Sequence, residues 1–321
     1  VGTVQTVRRV AVTGASGYLG RLLVRRLAQC EGVERVLGID VRPMPGELPR
    51  NVAFVGRDIT TDITDILADN GIDAMAHLAF VIQPDRNAGG ARRVNVDGAS
   101  NVMSACAAVG VQNVLYMSSA TVYGAHADNP AVLTEDFPLR PVPGFQYGEA
   151  KVEVEAILRG FEIRHNSLNI CVLRACPVLG VGADNFVARN LASRVLVSVA
   201  GYDPPMQFLH EDDAAEIMTH CLLNGVEGTY NFGGRGHIRM SDMARIAGSR
   251  LLQIPAPLLY GATEVSWRLG LQSSTPACGL DFIRYPWVVG GEKLKSEHGL
   301  GARRSSEEAW EAFVSRNGDT R

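Results

Sequence analysis

Lysine is almost missing from this chain, with 3 residues against 28 arginines in 321. Arginine therefore fills the ordinary surface cation positions, and a lysine set inside a motif marks a task that a compact ammonium performs and a planar guanidinium does not. Paired cysteines are missing too. Cys30, Cys106, Cys171, Cys176, Cys221 and Cys278 are scattered with no Cys-x-x-Cys, which excludes a zinc ribbon, a thioredoxin-type centre and a disulfide framework and reads as reduced, intracellular thiols. No run approaches the ~20 apolar residues of a membrane span. The longest, 194–201, carries Val195, Leu196, Val197 and Val199. No basic start, apolar run and small-residue cleavage site opens the chain, so a cytoplasmic protein with no membrane partner is expected. Charge of one sign is lacking as well: the formal net charge of −3 gives no electrostatic footprint for nucleic acid.

What is present is a globular balance, 46% hydrophobic residues with 34 glycines, at a length that suits one large α/β domain or two smaller ones. Short β-branched runs at 10–12, 33–39, 52–55, 74–78, 114–117 and 169–173 alternate with helix-length amphipathic stretches at 17–29, 64–70, 91–109 and 147–159. That alternation predicts a doubly wound parallel α/β sheet, with ligands at the carboxyl ends of its strands. After Pro177 glycine and proline punctuate the chain, and helical patterns persist at 212–223, 241–252 and 305–314. The expected division is a nucleotide-binding domain over 1–176 and a smaller, mainly substrate-binding region over 177–321, with segments near 207–232 returning to the first domain.

The run 10–12 leads into Thr13-Gly14-Ala15-Ser16-Gly17-Tyr18-Leu19-Gly20 and then directly into a helix. Glycines permit the tight turn and close approach to a pyrophosphate, which the free N–H groups and dipole of the helix N-terminus favour. A glycine-rich turn alone needs no ligand. Here Asp40 closes the second strand, 20 residues after Gly20, where a carboxylate accepts from both adenosine ribose hydroxyls and repels a 2′-phosphate. NAD is indicated, with NADP disfavoured despite Arg42. Asp58 and Ile59 follow the third strand, where they meet an adenine or cap the turn.

Tyr147 and Lys151 stand four apart in a helical stretch and so project from one face. Eight tyrosines and three lysines seldom produce that pair by chance, and Lys151 is the sole lysine in the first 292 residues. A nearby ammonium and an oxidised nicotinamide stabilise a phenolate, which lets a tyrosine accept a proton from a substrate hydroxyl. Ser118 and Ser119 lie just past the fifth strand, at the carboxyl edge, where one hydroxyl can bond the same oxygen or simply cap a turn. His210-Glu211-Asp212-Asp213 lacks a second histidine at metal-ligand spacing and reads as a helix start; no metal is expected. Cys176 reads as packing, as do Trp267, Tyr285 and Trp287.

These residues together resemble the extended short-chain dehydrogenases/reductases of the NAD-dependent epimerase/dehydratase family, whose fold is a Rossmann sheet with a smaller substrate region. The likeness runs from Val10 to about Gly180 and resumes at Gln207-Phe208-Leu209-His210-Glu211-Asp212-Asp213-Ala214 and Tyr230-Asn231-Phe232-Gly233-Gly234. By that resemblance Gly14, Ser16, Gly17, Tyr18, Leu19 and Gly20 surround the pyrophosphate, Asp40 holds the ribose, and Asp58 with Ile59 holds the adenine. Leu78, Ala79, Phe80, Asn95, Met117, Ser118, Pro177 and Val178 complete the NAD site. Ser119, Tyr147 and Lys151 are the implied catalytic residues, within a serine segment similar to that of UDP-galactose 4-epimerases. Thr121, Asn185, Phe186 and His210 are candidate substrate contacts. The implied partners are a secondary alcohol or ketone, a nucleotide sugar among them, and a second copy of the chain docking through the helices at 91–109 and 147–159. Ala120-Thr121 replace the Asp-Glu pair of the dehydratases, so dehydration is not expected. Met206-Gln207 stand where nucleotide-sugar enzymes keep an arginine, and the usual Arg-x-Gly-Asp stretch is absent from its place. A non-catalytic NAD sensor on the same fold is the contrasting reading, and it has no need of a tyrosine base.

Overall fold

The computed structural model describes residues 7–83, 89–184, 188, 191 and 193–318. The β-branched runs become strands β1 (Arg9–Thr13), β2 (Arg35–Asp40), β3 (Val52–Gly56), β4 (Ala74–His77), β5 (Asn113–Ser119) and β6 (Asn169–Ala175). With β11 (Gly228–Phe232) they form, among the described residues, one seven-stranded sheet in the order β11-β6-β5-β4-β1-β2-β3, every neighbouring pair parallel. The order reverses between β1 and β4, and it is at the carboxyl ends of the strands flanking such a reversal that open α/β sheets bind ligands.

Alternation along the strands builds a core on each face. On one, Val10 and Val12 of β1 share a buried cluster with Leu23 and Leu27 of α1 (Tyr18–Ala28) and with Met218 and Leu222 of the helix at Glu211–Leu223. On the other, Ala11 joins Met103 and Cys106 of the helix at Gly98–Val109 and Leu158 of the helix at Gln146–Arg164. Helices used below are numbered in chain order after α1 as α2 (Thr64–Asn70), α3 (Gly89–Arg92), α4 (Gly98–Val109), α5 (Gln146–Arg164), α6 (Glu211–Leu223), α7 (Met240–Ala247), α8 (Ala256–Arg268), α9 (Glu292–His298) and α10 (Ser306–Gly318). A π turn, Arg93–Asp97, joins α3 to α4 and carries Asn95 inward.

Among the described residues the C-terminal half adds three two-stranded pairs: β7 (Val178–Leu179) with β10 (Leu209–His210), β8 (Val195–Val199) with β13 (Arg250–Ile254), and β9 (Pro205–Met206) with β12 (Ile238–Arg239). Two expectations are corrected here. The helix expected over 241–252 stops at Ala247, because Gly248 turns into the left-handed region at φ 60° and the following residues pair as β13. Pro255 to Pro257, read as punctuation, instead open α8 (Ala256–Arg268), with Pro255 as its cap and Pro257 in its first turn. No helix among the described residues is long and apolar enough to cross a membrane.

Two glycine substitutions separate close packing from open space. A Cβ on Gly20 would lie 2.1 Å from the Gly14 carbonyl oxygen, whereas one on Gly261, exposed in α8, meets nothing within 4 Å. Gly20→Ala should lower stability by ~1–3 kcal/mol, and Gly261→Ala should raise it by up to ~1 kcal/mol through helix propensity. Thermal unfolding of the two variants checks this, and equal midpoints would contradict it.

Candidate active site

The turn between β1 and α1 is held by backbone closeness. Gly14 adopts φ 70°, and a side chain there would sit 2.6 Å from the Ala79 nitrogen. The Gly14 amide donates to Ile39 O at 2.9 Å and the Gly17 amide to Gly14 O at 3.0 Å. Asp40 ties the turn to β2, accepting from the backbone N–H of Ser16 at 3.1 Å and of Arg42 at 3.0 Å. Ser16 Oγ donates to Arg42 O at 2.5 Å. The cradle is free of side-chain bulk and faces the N-terminus of α1, so its residues fit a dinucleotide pyrophosphate.

Flanking positions support this cradle. Asn95 clamps the loop after β4 with both ends of its amide, Oδ1 accepting from Val81 N at 2.7 Å and Nδ2 donating to Val81 O at 3.0 Å. Leu78, Ala79 and Phe80 are thereby fixed between β4 and the turn. Pro177 O accepts from Leu209 N at 2.9 Å, and Val178 pairs in register with Leu209. Ile59 is buried, whereas Asp58 is exposed and accepts from Thr60 N at 2.9 Å, a turn cap. Leu19 packs against the core. Tyr18 is committed elsewhere, its hydroxyl donating to Glu211 Oε2 at 2.5 Å. Glu211 also accepts from Gly182 N at 2.8 Å, so α1, α6 and the segment after β7 are tied together.

Three consecutive residues at the end of β5 face three residues of α5 spaced one turn apart. Lys151 Nζ donates to Met117 O at 2.6 Å, and Ser118 Oγ donates to Glu155 Oε1 at 2.5 Å. The Ser119 hydroxyl acts on the third, Tyr147, lowering the phenol's pKa. Ser118, expected at the cofactor, has its proton given to Glu155 instead. Ser119 Oγ accepts from Thr121 N at 3.2 Å and from Thr121 Oγ1 at 3.0 Å. With two donors already pointing at it, its own proton is left for Tyr147 or a substrate oxygen. Thr121, a candidate substrate contact, thus orients Ser119.

Lys151 is buried, with Nζ 3.7 Å from the Phe80 ring centroid, 4.7 Å from that of Tyr116 and 5.7 Å from that of Tyr147. Burial pushes its pKa down to about 7, opposed by the negative charge of Glu155. Burial pushes the Tyr147 phenol up to about 12, opposed by the Ser119 hydrogen bond. The lysine was expected to lower the phenol's pKa; in the protein alone burial raises it, and the opposing influence comes from Ser119. His77, beneath Lys151, is pushed down to about 3 by burial and by the lysine charge, and is therefore neutral.

Glu155 and its surroundings escaped the reading of the sequence. Its carboxylate receives Arg174 Nη2 at 2.8 Å and Nε at 3.1 and 3.2 Å, both side chains being 4% exposed. Arg174 Nη1 donates to Tyr123 Oη at 2.7 Å, and that hydroxyl donates to Asn231 Oδ1 at 2.7 Å. The signals were an acid one turn past Lys151 and a lone arginine inside the apolar β6. Among the substrate candidates, His210 caps α6, Nδ1 accepting from Asp212 N at 3.2 Å. Asn185 and Phe186 lie outside the described residues. Met206 is buried, and Gln207 spends its amide on backbone, Nε2 donating to Gly234 O at 2.9 Å and Val289 O at 3.0 Å while Oε1 accepts from Val289 N at 3.0 Å. Neither reaches a ligand. Cys176 is buried and its thiol is pushed up to about 12, consistent with packing.

Comparison with known proteins agrees with this geometry. The model of the NAD dependent epimerase/dehydratase family matches residues 10–233. An uncharacterized protein of Mycobacterium tuberculosis is 30% identical over 256 residues, covering 78% of this chain and 67% of that protein. UDP-glucose 4-epimerase of Bacillus subtilis is 29% identical over 269 residues, 71% of this chain and 78% of that enzyme. Among solved structures, MoeE5 in complex with UDP-glucuronic acid and NAD superposes with a TM-score of 0.76 at 22% identity, covering 98% of this chain and 100% of that one. The Thermus thermophilus UDP-glucose 4-epimerase complex with NAD gives 0.76 at 21% identity, covering 97% and 99%.

With three lysines in the chain, isotope-labelled lysine NMR of the NAD-free protein can resolve Lys151. One resonance should titrate with a midpoint of about 7 and vanish in Lys151→Met. In Glu155→Gln the charge that raises it is gone, so the same titration should move to lower pH. A Lys151 resonance with no transition near neutrality would contradict the burial, and an unmoved midpoint would contradict the role of Glu155.

Proposed function

The chain belongs to the NAD-dependent epimerase/dehydratase family, and on that premise we propose that it is an NAD-dependent oxidoreductase or epimerase acting on a secondary alcohol, with Tyr147 as the base. The observation that carries this is the convergence of Ser119, Tyr147 and Lys151 at the end of β5, with the serine proton oriented by Thr121. A protein that only senses a dinucleotide has no use for that arrangement.

NAD is the cofactor of the family, and when bound it supplies the hydride acceptor and donor. Gly14, Gly17, Gly20 and Asp40 would hold it. Tyr147 Oη takes the proton of the substrate hydroxyl, and Ser119 donates its hydrogen bond to the same oxygen as that oxygen gains carbonyl character. Lys151, fixed by Met117 O, donates its remaining protons toward the cofactor ribose and places a positive charge beside the phenol. Because burial holds the phenol neutral at pH 7 in the protein alone, the positive charge of the oxidised cofactor is needed for the tyrosine to act as a base. Return of the hydride to the opposite face gives epimerisation by the same residues, and release of the ketone gives net oxidation. The 29% identity to a UDP-glucose 4-epimerase supports a nucleotide sugar as the alcohol, which makes 4-epimerisation the second reading. The same family reading carries a homodimer docking through α4 and α5.

Tyr147→Phe should bind NAD as the wild type does and lose turnover of UDP-glucose, UDP-galactose or whichever secondary alcohol the wild type accepts, by roughly 10²-fold or more. Ser119→Ala should lose a similar factor by removing the oriented donor. Unchanged turnover in Tyr147→Phe, measured by cofactor absorbance or product chromatography, would overturn the proposal.

A further inference from the structure

One ring from the loop after β4 meets both Tyr147 and Lys151 of α5. The Phe80 centroid lies 3.7 Å from Lys151 Nζ, nearer than those of Tyr116 at 4.7 Å and Tyr147 at 5.7 Å, and Phe80 packs edge-to-face on the Tyr147 ring at 5.3 Å. Tyr147 and Lys151 are one turn apart, so a single side chain can touch both. Phe80 is itself held. Asn95 bonds both backbone groups of Val81, the next residue, and the Phe80 ring packs against the buried cluster that contains Val154 and Leu158 of α5.

The ammonium needs such a neighbour. Lys151 is buried, gives one hydrogen bond to Met117 O, and beyond that its close neighbours among the described residues are rings. Of the titratable groups around it, His77 on β4 is neutral, and the phenols of Tyr116 on β5 and Tyr147 on α5 are pushed up by burial and neutral too. Glu155, one turn along α5, supplies the charge that opposes desolvation of the lysine. A π face in contact adds to this at shorter range, because its negative quadrupole favours an ammonium over an amine. An aliphatic side chain at position 80 would fill the space and lack that face.

Resting on the reading of Tyr147 as the catalytic base, we propose that Phe80 is a positioning residue for the reaction: its ring face keeps Lys151 charged and in place, and its contact with the Tyr147 ring keeps the phenol beside that charge.

Site-specific replacement of Phe80 by mono-, di- and trifluorinated phenylalanine separates charge from packing, since fluorine drains the negative face and nearly preserves the shape of the ring. In the NAD-free protein the Lys151 NMR resonance should titrate at progressively lower pH along the series, by about 0.5–1.5 pH units in all. Phe80→Leu should fall at or below the trifluorinated end, and Phe80→Tyr, which keeps the face, should titrate with the wild type. Turnover of an accepted secondary alcohol at pH 7 should decline in the same order, by up to roughly tenfold, as the charged fraction of Lys151 shrinks. A midpoint that stays put along the fluorine series, even if Phe80→Leu moves it, would assign the ring to packing alone and overturn the proposal; so would a midpoint that steps down while turnover holds. The fluorinated chains decide the matter if Phe80→Leu does not fold. Failure of the Tyr147 reading would show separately, as turnover retained in Tyr147→Phe.

Discussion

One buried ammonium sets the terms for the rest of the site. Lys151 donates a hydrogen bond to Met117 O and otherwise meets aromatic faces, with no carboxylate in direct contact among the described residues. Removing a charge from water in this way is costly, and the fold offsets it at a distance. Glu155, one turn along α5, raises the lysine's proton affinity, and Arg174 holds Glu155 in turn. The lysine is left near the balance of its charged and neutral forms at pH 7, where arrival or departure of a neighbouring charge changes its state.

That polar chain also joins the two halves of the molecule. From Arg174 it runs through Tyr123 to Asn231 in the edge strand β11, and Asn231 Nδ2 donates to Leu133 O at 2.9 Å. Leu133 bridges to Val289, which Gln207 grips through its backbone. The positions at which nucleotide-sugar enzymes keep an arginine are therefore part of the frame in this chain.

How much of this was legible in the sequence follows from how local each feature is. The β1–turn–α1 unit and the Tyr147/Lys151 pair depend on spacings of a few residues, and the strand order follows from the regular alternation. The boundary at Gly248 was missed because the apolar spacing after it suits a helix as well as a strand, and only pairing with Val195–Val199 decides between them. Glu155 was invisible because its meaning depends on Arg174, 19 residues away on another element. The bond from Arg284 Nη2 to Tyr202 Oη at 3.1 Å was further out of reach, because the two residues stand 82 apart in the chain. Ser118 was assigned to the cofactor from its neighbour's motif, whereas its hydroxyl bonds Glu155.

The most direct test of the account is the nicotinamide nucleotide itself. Freshly purified chain is denatured, the NAD and NADH released are quantified by chromatography, and any empty fraction is titrated with NAD. The account predicts one nucleotide site per chain, filled on purification if the enzyme is an epimerase that keeps its cofactor through both half-reactions, and filled reversibly on addition if it is a dehydrogenase. A folded chain that neither carries nor binds NAD would contradict it.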